Sequence, residues 1–173
     1  VKHSAREQIE APGTPKPLPA ETAFDPFEEM RRAGVTVNSE TSAIGIDGQI
    51  TSATAEQFDY AVKLMPSKTA ITVFLNSPGG DLYAAMAIGR AIRQMEQSVA
   101  VAVWEDAKCY SACVFVLAAG EQRIRRGSIG IHRPYSAAPS SDARQAEQWF
   151  TKISTDSKTY LREMRVREAL FDD

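Results

Sequence analysis

The continuous apolar segment AITVFLNS, residues 70–77, constrains the fold of this chain more than any other feature. It is rich in β-branched and aromatic residues and is typical of a strand that is covered on both faces. Residues 98–104 form a second segment of this kind, and residues 43–50 form an earlier strand that ends in an Asp-Gly turn. Strands buried on both faces belong to parallel sheets with helices packed on either side. The chain is therefore predicted to contain a largely parallel sheet.

Helical periodicity separates these strands. Residues 51–65 and 81–95 carry apolar side chains three or four positions apart, and residues 112–120 are almost entirely apolar, which predicts a buried helix. Residues 141–166 predict one long amphipathic helix with a break near Ser154. Strands that alternate with helices in this order predict an α/β fold with right-handed crossover connections.

The chain has 173 residues, which suits one domain with a sizeable core. Residues 1–25 include the proline-rich stretch APGTPKPLPA and are predicted to be an extended leader, so that residues 26–173 form a single folded domain. The formal net charge is −2, and the basic cluster at residues 123–127 is predicted to be a surface turn, so a nucleic-acid partner is not expected. No apolar stretch is long enough to predict a membrane span.

Three polar features follow predicted strands. The pair Gly79-Gly80 follows the first apolar segment, Ser111 follows the second, and His132 ends the short strand-like segment SIGIH. Ligand sites in open α/β sheets lie beyond the carboxyl ends of the strands. The predicted topology therefore brings the glycine pair, the serine and the histidine to the same edge of the sheet.

Each of these features has a catalytic use and a structural alternative. The glycines allow backbone N–H groups to point at an oxyanion, but they also suit a plain turn in which Asp81 caps the next helix. Ser111 stands where a buried helix begins, either as a nucleophile with the N–H of Ala112 beside it or as the helix cap. His132 suits a general base, whereas a lone histidine is more often structural or exposed. Together they are the parts of a serine-nucleophile acyl-transfer site, for which the candidate orienting acids by residue type are Asp142, Asp156, Asp172 and Asp173.

The chain has two cysteines, Cys109 and Cys113, which flank Ser111. Such a pair can form a disulfide, act as a redox pair or contribute to a metal site. A zinc site normally needs four ligands, and the only histidines are His3 and His132, so neither a metal nor another cofactor is expected. A local disulfide would predict an oxidising compartment. The alternative is two buried reduced thiols.

The segment ITVFLNSPGGDLYAAMAIGRAI resembles the motif segment of the Clp protease proteolytic subunit, which belongs to the wider crotonase-like fold. YSACVFVLAAG is similar to the apolar helix of that family, which opens on the catalytic serine. IGIHRPY is similar to its strand that ends in Ile-His before a proline, and AIGIDGQI resembles an early strand and turn. The resemblance extends over roughly residues 42–160. It implies a ClpP/crotonase-like spiral of ββα units with a largely parallel sheet.

Carried over residue by residue, the resemblance implies a serine endopeptidase, an acyl hydrolase that acts on peptide or protein substrates. Ser111 is the implied nucleophile and His132 the implied general base. The N–H groups of Gly80 and Ala112 are the implied oxyanion hole, with Gly79 as a further candidate. The resemblance also implies a homo-oligomer, either a trimer or a larger ring.

The chain departs from the family pattern in several places. The spacing from Gly80 to Ser111 is slightly longer than usual, and the spacing from Ser111 to His132 is slightly shorter. Cys113 stands where the family usually has a glycine. The family's catalytic aspartate follows the long helix, so the domain is expected to be C-terminally incomplete relative to the family. Either the triad is incomplete or its acid lies beyond Asp173. The Cys-x-Ser-Ala-Cys arrangement resembles a bacterial branch of periplasmic Clp-like proteins, which implies a periplasmic or secreted protein. A Cys109–Cys113 disulfide would stiffen the turn at Ser111.

Two functions are alternatives to a serine peptidase. One is a catalytically weak or inactive crotonase-fold binding or assembly module, and the other is an acyl-CoA enzyme of the same fold.

Overall fold

A computed structural model describes residues 26–132 and 142–166 of the protein. The leader predicted at residues 1–25 lies outside the described residues and stays a prediction. The helices are α1 (Pro26–Arg32), α2 (Ser52–Lys63), α3 (Leu82–Gln94), α4 (Cys113–Ala119) and α5 (Ala143–Glu163). The strands are β1 (Val35–Asn38), β2 (Ala43–Asp47), β3 (Ile71–Asn76), β4 (Val99–Val103), β5 (Lys108–Tyr110), β6 (Gln122–Arg125) and β7 (Ser128–Gly130).

Five of the strands form one sheet in the order β1-β2-β3-β4-β6. β1 is antiparallel to β2, whereas the other neighbours are parallel, with Ile44 of β2 beside Val73 of β3 and Val73 beside Val101 of β4. β5 and β7 form a separate parallel pair. The prediction of an α/β fold with a largely parallel sheet is confirmed.

Four short elements, α1, β1, β5 and β6, are absent from the sequence prediction. β6 takes in most of the basic cluster at residues 123–127, because its backbone pairs with β4 in the register Val101 beside Arg123. The surface turn predicted there is therefore wrong. β6 lies at the edge of the sheet, and its arginine side chains are exposed. The strand therefore lacks the clear alternation of apolar and polar residues by which a strand is identified from the sequence.

β3 is buried on one side only. Ile71, Val73 and Leu75 are buried, whereas Phe74 on the opposite side is 41% exposed. Coverage of β3 on both faces, which the apolar run predicted, is therefore wrong for the described part of the chain. The run misleads because Phe74 is apolar but points outward, so composition alone does not reveal the alternation in burial.

The helix that follows the glycine pair starts at a defined residue. α3 begins after Asp81, whose carboxylate accepts a hydrogen bond from the Ala84 N–H at 2.9 Å. α2 begins at a capping box formed by Thr51 and Thr54.

α5 continues through Ser154, so the predicted break is wrong. None of the helices within residues 26–132 and 142–166 is long and apolar enough to cross a membrane.

The second half of α5 packs against α3 and α4. Tyr160 is fully buried, and its hydroxyl donates a hydrogen bond to the Phe115 carbonyl at 2.7 Å. Gly89 of α3 lies directly against the Tyr160 ring, and Arg90 forms an ion pair with Glu163 at 2.8 Å. These contacts close the core on the helical side of the sheet.

Candidate active site

The turn after β3 lies beside β5. The Ser77 N–H donates to the Lys108 carbonyl at 2.7 Å, and the Tyr110 N–H donates to the Ser77 carbonyl at 3.0 Å. These two bonds form a parallel bridge between Ser77 and Cys109. The carboxyl end of β3 and the strand that leads to Ser111 are thus held side by side, as the topology predicts.

Gly79 makes the closest approach between this turn and Ser111. Its φ of +98° lies in the left-handed region that favours glycine. A Cβ at this position would stand 2.7 Å from the Ser111 Cβ, 2.6 Å from the Tyr110 carbonyl oxygen and 3.0 Å from the Ala112 nitrogen. Only a residue without a side chain fits here, so the glycine is required by the contact itself.

Ser111 has an uncommon backbone conformation for a residue with a side chain. Its φ is +54°, and it links the end of β5 to the start of α4. The N-cap of α4 is Ala112, and no side chain caps this helix. The structure therefore does not support the cap interpretation of Ser111. Its half-buried hydroxyl makes no hydrogen bond to any described residue.

Two backbone N–H groups at this point have no partner among the described residues: those of Gly80 and Ala112. Two backbone hydrogen bonds hold the residues on either side of Gly80: the Asp81 N–H donates to the Ile50 carbonyl at 2.9 Å, and the Ile50 N–H donates to the Gly79 carbonyl at 2.8 Å. The Gly79 N–H donates to the Ser77 hydroxyl at 3.0 Å. Gly79 is therefore not available as an oxyanion donor in this structure.

The strand pair β5–β7 brings His132 toward the same end. Tyr110 lies beside Gly130 in the parallel register, and the Ser111 N–H donates to the Gly130 carbonyl at 2.8 Å. His132 follows Gly130 by two residues and is exposed. The register thus places Ser111 and His132 at the carboxyl ends of adjacent strands.

Two of the four candidate acids lie within the described residues. Asp142 caps α5 and accepts a hydrogen bond from the Arg144 N–H at 2.9 Å. Asp156 accepts from Lys152 at 2.6 Å and from the Tyr83 hydroxyl at 2.7 Å, and these hydrogen bonds hold the pKa of Asp156 below its ordinary value. The Asp156 carboxylate thus ties α5 to the first turn of α3. Asp172 and Asp173 lie outside the described residues.

Cys109 and Cys113 form a disulfide, with Cα atoms 5.2 Å apart. The disulfide prediction is confirmed, and the alternative of two reduced thiols is not what the structure contains. Both residues are fully buried, one at the centre of β5 and the other at the first position of α4. The bond therefore spans the turn that carries Ser111.

Sequence reasoning missed two polar residues that shape this site. Ser77 is fully buried, and its hydroxyl holds the Gly79 N–H. The Asn76 side chain donates to Asp47 at 2.8 Å and accepts from the Lys108 N–H at 3.2 Å, so it joins the ends of three strands. Their position in the sequence could have indicated this role. Two polar residues that end an apolar strand just before Pro-Gly-Gly are typical of the start of a hydrogen-bonded turn.

The parallel sheet, the glycine turn and the strand-to-helix serine together define a ClpP/crotonase-like α/β protein. The model of the Clp protease family matches residues 32–167, so the chain belongs to the Clp protease family, whose members are serine peptidases. Among solved structures it is similar to a ClpP1 variant from Listeria monocytogenes, with 21% identity over 72% of each chain and a TM-score of 0.60. That similarity confirms the fold. No curated protein matches the chain.

Proposed function

We propose that this protein hydrolyses peptide bonds with Ser111 as nucleophile and His132 as general base. The observation that carries the proposal is the packing of Gly79 against Ser111 and Ala112. Ser111 has a left-handed conformation, and its side chain does not cap the helix that follows. A strained residue between a strand and a helix is a common way to expose a nucleophilic side chain.

The proposed reaction follows from the positions of these groups. The Ser111 hydroxyl attacks the scissile carbonyl carbon while His132 accepts the hydroxyl proton, and His132 then returns the proton to the leaving amine. The Gly80 and Ala112 N–H groups, which have no partner among the described residues, receive the carbonyl oxygen as it becomes an oxyanion. One such donor contributes a factor of about 10² to 10³ in rate. Water then hydrolyses the acyl-serine ester by the same route.

We place the acid that orients His132 in the segment after α5, outside the described residues. Asp142 and Asp156 both have structural partners, a helix N-terminus and a Lys-Tyr pair respectively. An orienting acid contributes a factor of about 10⁴ in a Ser-His-Asp triad. The activity of this protein therefore depends on the residues that follow the long helix.

The setting that we propose is a periplasmic or secreted homo-oligomer. The buried Cys109–Cys113 disulfide supports an oxidising compartment. Membership of the Clp protease family supports a trimer or a larger ring. The first ten residues of α5 are mostly exposed and include Phe150 at 45% exposure, which suits a helix that contacts another subunit.

A fluorophosphonate probe, which reacts with activated serine hydroxyls, tests the proposal on the chain together with any residues that follow Asp173 in its gene. We expect covalent labelling of the wild type, no labelling of Ser111→Ala, and unchanged labelling of the matched control Ser128→Ala, whose serine lies on β7. Proteolysis of a casein substrate should follow the same pattern.

Two results would count against this function. Labelling that persists in Ser111→Ala would place the nucleophile elsewhere. A complete lack of labelling in the folded wild type would favour the alternative of a crotonase-fold binding or assembly module without activity.

A further inference from the structure

Backbone hydrogen bonds hold the turn at Ser111 on both sides, but no side chain caps the helix that follows it. On the entry side, the Tyr110 N–H donates to Ser77 at 3.0 Å, and the Ser111 N–H donates to Gly130 at 2.8 Å. On the exit side, the Val114 N–H donates to the Ser111 carbonyl at 3.1 Å, and the N-cap residue Ala112 offers no side-chain cap to α4. Backbone hydrogen bonds therefore hold β5 in place, but no side-chain hydrogen bond fixes the angle at which the helix leaves the serine.

The disulfide supplies the tie that the helix start lacks. Cys109 is the central residue of β5, opposite Ile129 of β7, and Cys113 is the first residue of α4. Their bond joins the strand to the helix across Tyr110, Ser111 and Ala112. Ser111 needs such a restraint because a residue with a side chain occupies the left-handed region only when its surroundings impose it.

The position of the bond argues for a local effect. The stabilisation that a disulfide gives by restricting the unfolded chain grows with the length of the loop it closes, and residues 109–113 form a very short loop. Both cysteines also lie within a hydrophobic core that includes Val116 and Ala119 of the same helix. The burial of the helix therefore does not require the bond, and the residues that the bond restrains most directly are those of the turn, Tyr110 to Ala112.

We propose that the Cys109–Cys113 disulfide positions Ser111 for reaction and makes the nucleophile sensitive to redox conditions. This inference rests on the proposed function. In the oxidised protein the bond holds Ser111 against Gly79, between the proposed oxyanion donors and the end of β7. In the reduced protein Ser111 relaxes out of the left-handed region, and the hydroxyl leaves the position from which it attacks.

The reducing partner is a dithiol. One of its thiolates attacks a cysteine sulfur to form a mixed disulfide, and its second thiol closes a cyclic disulfide. The dithiol is oxidised by two electrons, and Cys109 and Cys113 take up those electrons and two protons as free thiols. Because both cysteines are fully buried, the turn must open before attack, so we expect slow reduction.

The rate of fluorophosphonate labelling at Ser111 tests this inference in three samples: the oxidised full chain, the chain reduced with dithiothreitol, and the double variant Cys109→Ala/Cys113→Ala. Mass measurement after alkylation with iodoacetamide counts the free thiols. We expect reduction and the double variant each to lower the labelling rate by roughly tenfold to a hundredfold, as small displacements of a reacting group do. The far-ultraviolet circular dichroism should stay unchanged, and reoxidation should restore the rate in the wild type only.

The double variant is also the control for the reductant, because dithiothreitol should have no further effect on it. An unchanged labelling rate in a chain with two alkylated thiols would overturn the inference while leaving the proposed function intact. Loss of the folded circular dichroism signal in the double variant would also overturn it, since the bond would then hold the whole domain.

Amide hydrogen exchange separates this inference from the proposed function. If the oxidised chain is not labelled at all, the proposed function fails, and exchange still tests the role of the bond. We expect faster exchange at the Ser111 and Val114 amides after reduction, with no change at Val73 in β3. Equal exchange in the two redox states would show that the bond does not hold the turn.

Discussion

Ser111 and Gly79 show how one contact sets the conformation of two residues. Residue 79 must be a glycine both because its φ is +98° and because a side chain there would overlap the Ser111 Cβ and the Tyr110 carbonyl. Ser111 has a positive φ because the chain turns from β5 into α4 within a few residues. A left-handed conformation costs about 1–2 kcal/mol for a residue with a side chain. Ser111 therefore carries this cost, whereas Gly79 does not, because glycine has no Cβ.

The substitution Gly79→Ala is predicted to disturb the site far more than a glycine substitution at another left-handed position. Gly48 has a φ of +88°, but no atom lies within 4 Å of the point where a Cβ would stand, so Gly48→Ala carries only the backbone cost of about 1–2 kcal/mol. In Gly79→Ala the new Cβ would also overlap the Tyr110 carbonyl oxygen and the Ser111 Cβ. We expect it to lower the free energy of unfolding further and to reduce probe labelling by about 10² or more.

Urea unfolding and labelling rates, measured side by side for Gly79→Ala and Gly48→Ala, check this prediction. Equal losses of labelling in the two variants would mean that the contact with Ser111 does not matter for reactivity.

At the scale of elements, the packing of α5 on α3 depends on a missing side chain. Gly89 of α3 faces the hydroxyl of Tyr160, and a Cβ there would also stand 2.8 Å from the Tyr160 Cζ and 3.2 Å from the Ala119 Cβ. The Tyr160 hydroxyl in turn donates to Phe115 in α4. One small residue thus allows three helices to meet.

Gly89→Ala is predicted to destabilise the protein despite the better helix propensity of alanine. The added methyl group overpacks the contact with Tyr160 at a cost of about 1–3 kcal/mol, and the gain in helix propensity offsets about 0.5–1 kcal/mol. Tyr160→Phe alone should cost about 1 kcal/mol through the lost bond to Phe115. Because Tyr160→Phe removes the nearest atom, the double variant should lose less stability than the sum of the two single changes.

Thermal or urea unfolding of the two single variants and the double variant provides the double-mutant cycle. Strict additivity would contradict the packing argument, since it would mean that the alanine methyl group does not touch the tyrosine.

At the scale of the whole molecule, the buried Tyr160 makes the free energy of unfolding depend on pH in the alkaline range. Burial raises the pKa of Tyr160 above its ordinary value, and the nearby Arg90, whose guanidinium lies 5.4 Å from the ring centroid, opposes this shift only in part. The folded protein therefore retains a proton that the unfolded chain releases near pH 10. Stability from this group is fully present below about pH 10 and is lost as the pH rises toward the higher folded pKa.

We expect the free energy of unfolding to fall above about pH 10 by at most about 1.4 kcal/mol per pH unit from this residue. Tyr160→Phe should remove that part of the decline. Tyr60→Phe is the matched control, because it removes an exposed hydroxyl that makes no hydrogen bond to a described residue. Denaturant titrations between about pH 8 and about pH 11 measure the slopes. An identical slope in wild type and Tyr160→Phe would show that the hydroxyl of Tyr160 does not couple to folding.

Local patterns were sufficient to predict most of the elements and the parts of the site. The apolar runs predicted β3 and β4, the periodic spacing predicted α2 and α3, and each boundary lies within a few residues of the observed one. The two cysteines beside Ser111 predicted the disulfide, and three motifs in order along the chain predicted the family. These features depend on residues close together in the chain, so their sequence signals are strong.

Other features were decided only when distant segments met. Two of these features join residues that are far apart in the sequence: the contact of Gly79 with Ser111 and the pairing of β5 with β7. A third is the hydrogen bond from the Gly79 N–H to the Ser77 hydroxyl, which no sequence motif indicated. The exposure of Phe74 and the tie between Asp156 and Tyr83 are likewise set by which surfaces pack together. The sequence by itself determined the α/β order, the nucleophile candidate and the pair of cysteines that can form the disulfide, because these follow from local composition and spacing. The tertiary structure decided the left-handed turn that presents the serine, because the contacts of Ser111 with Gly79 and Gly130 form only when segments far apart in the chain pack together.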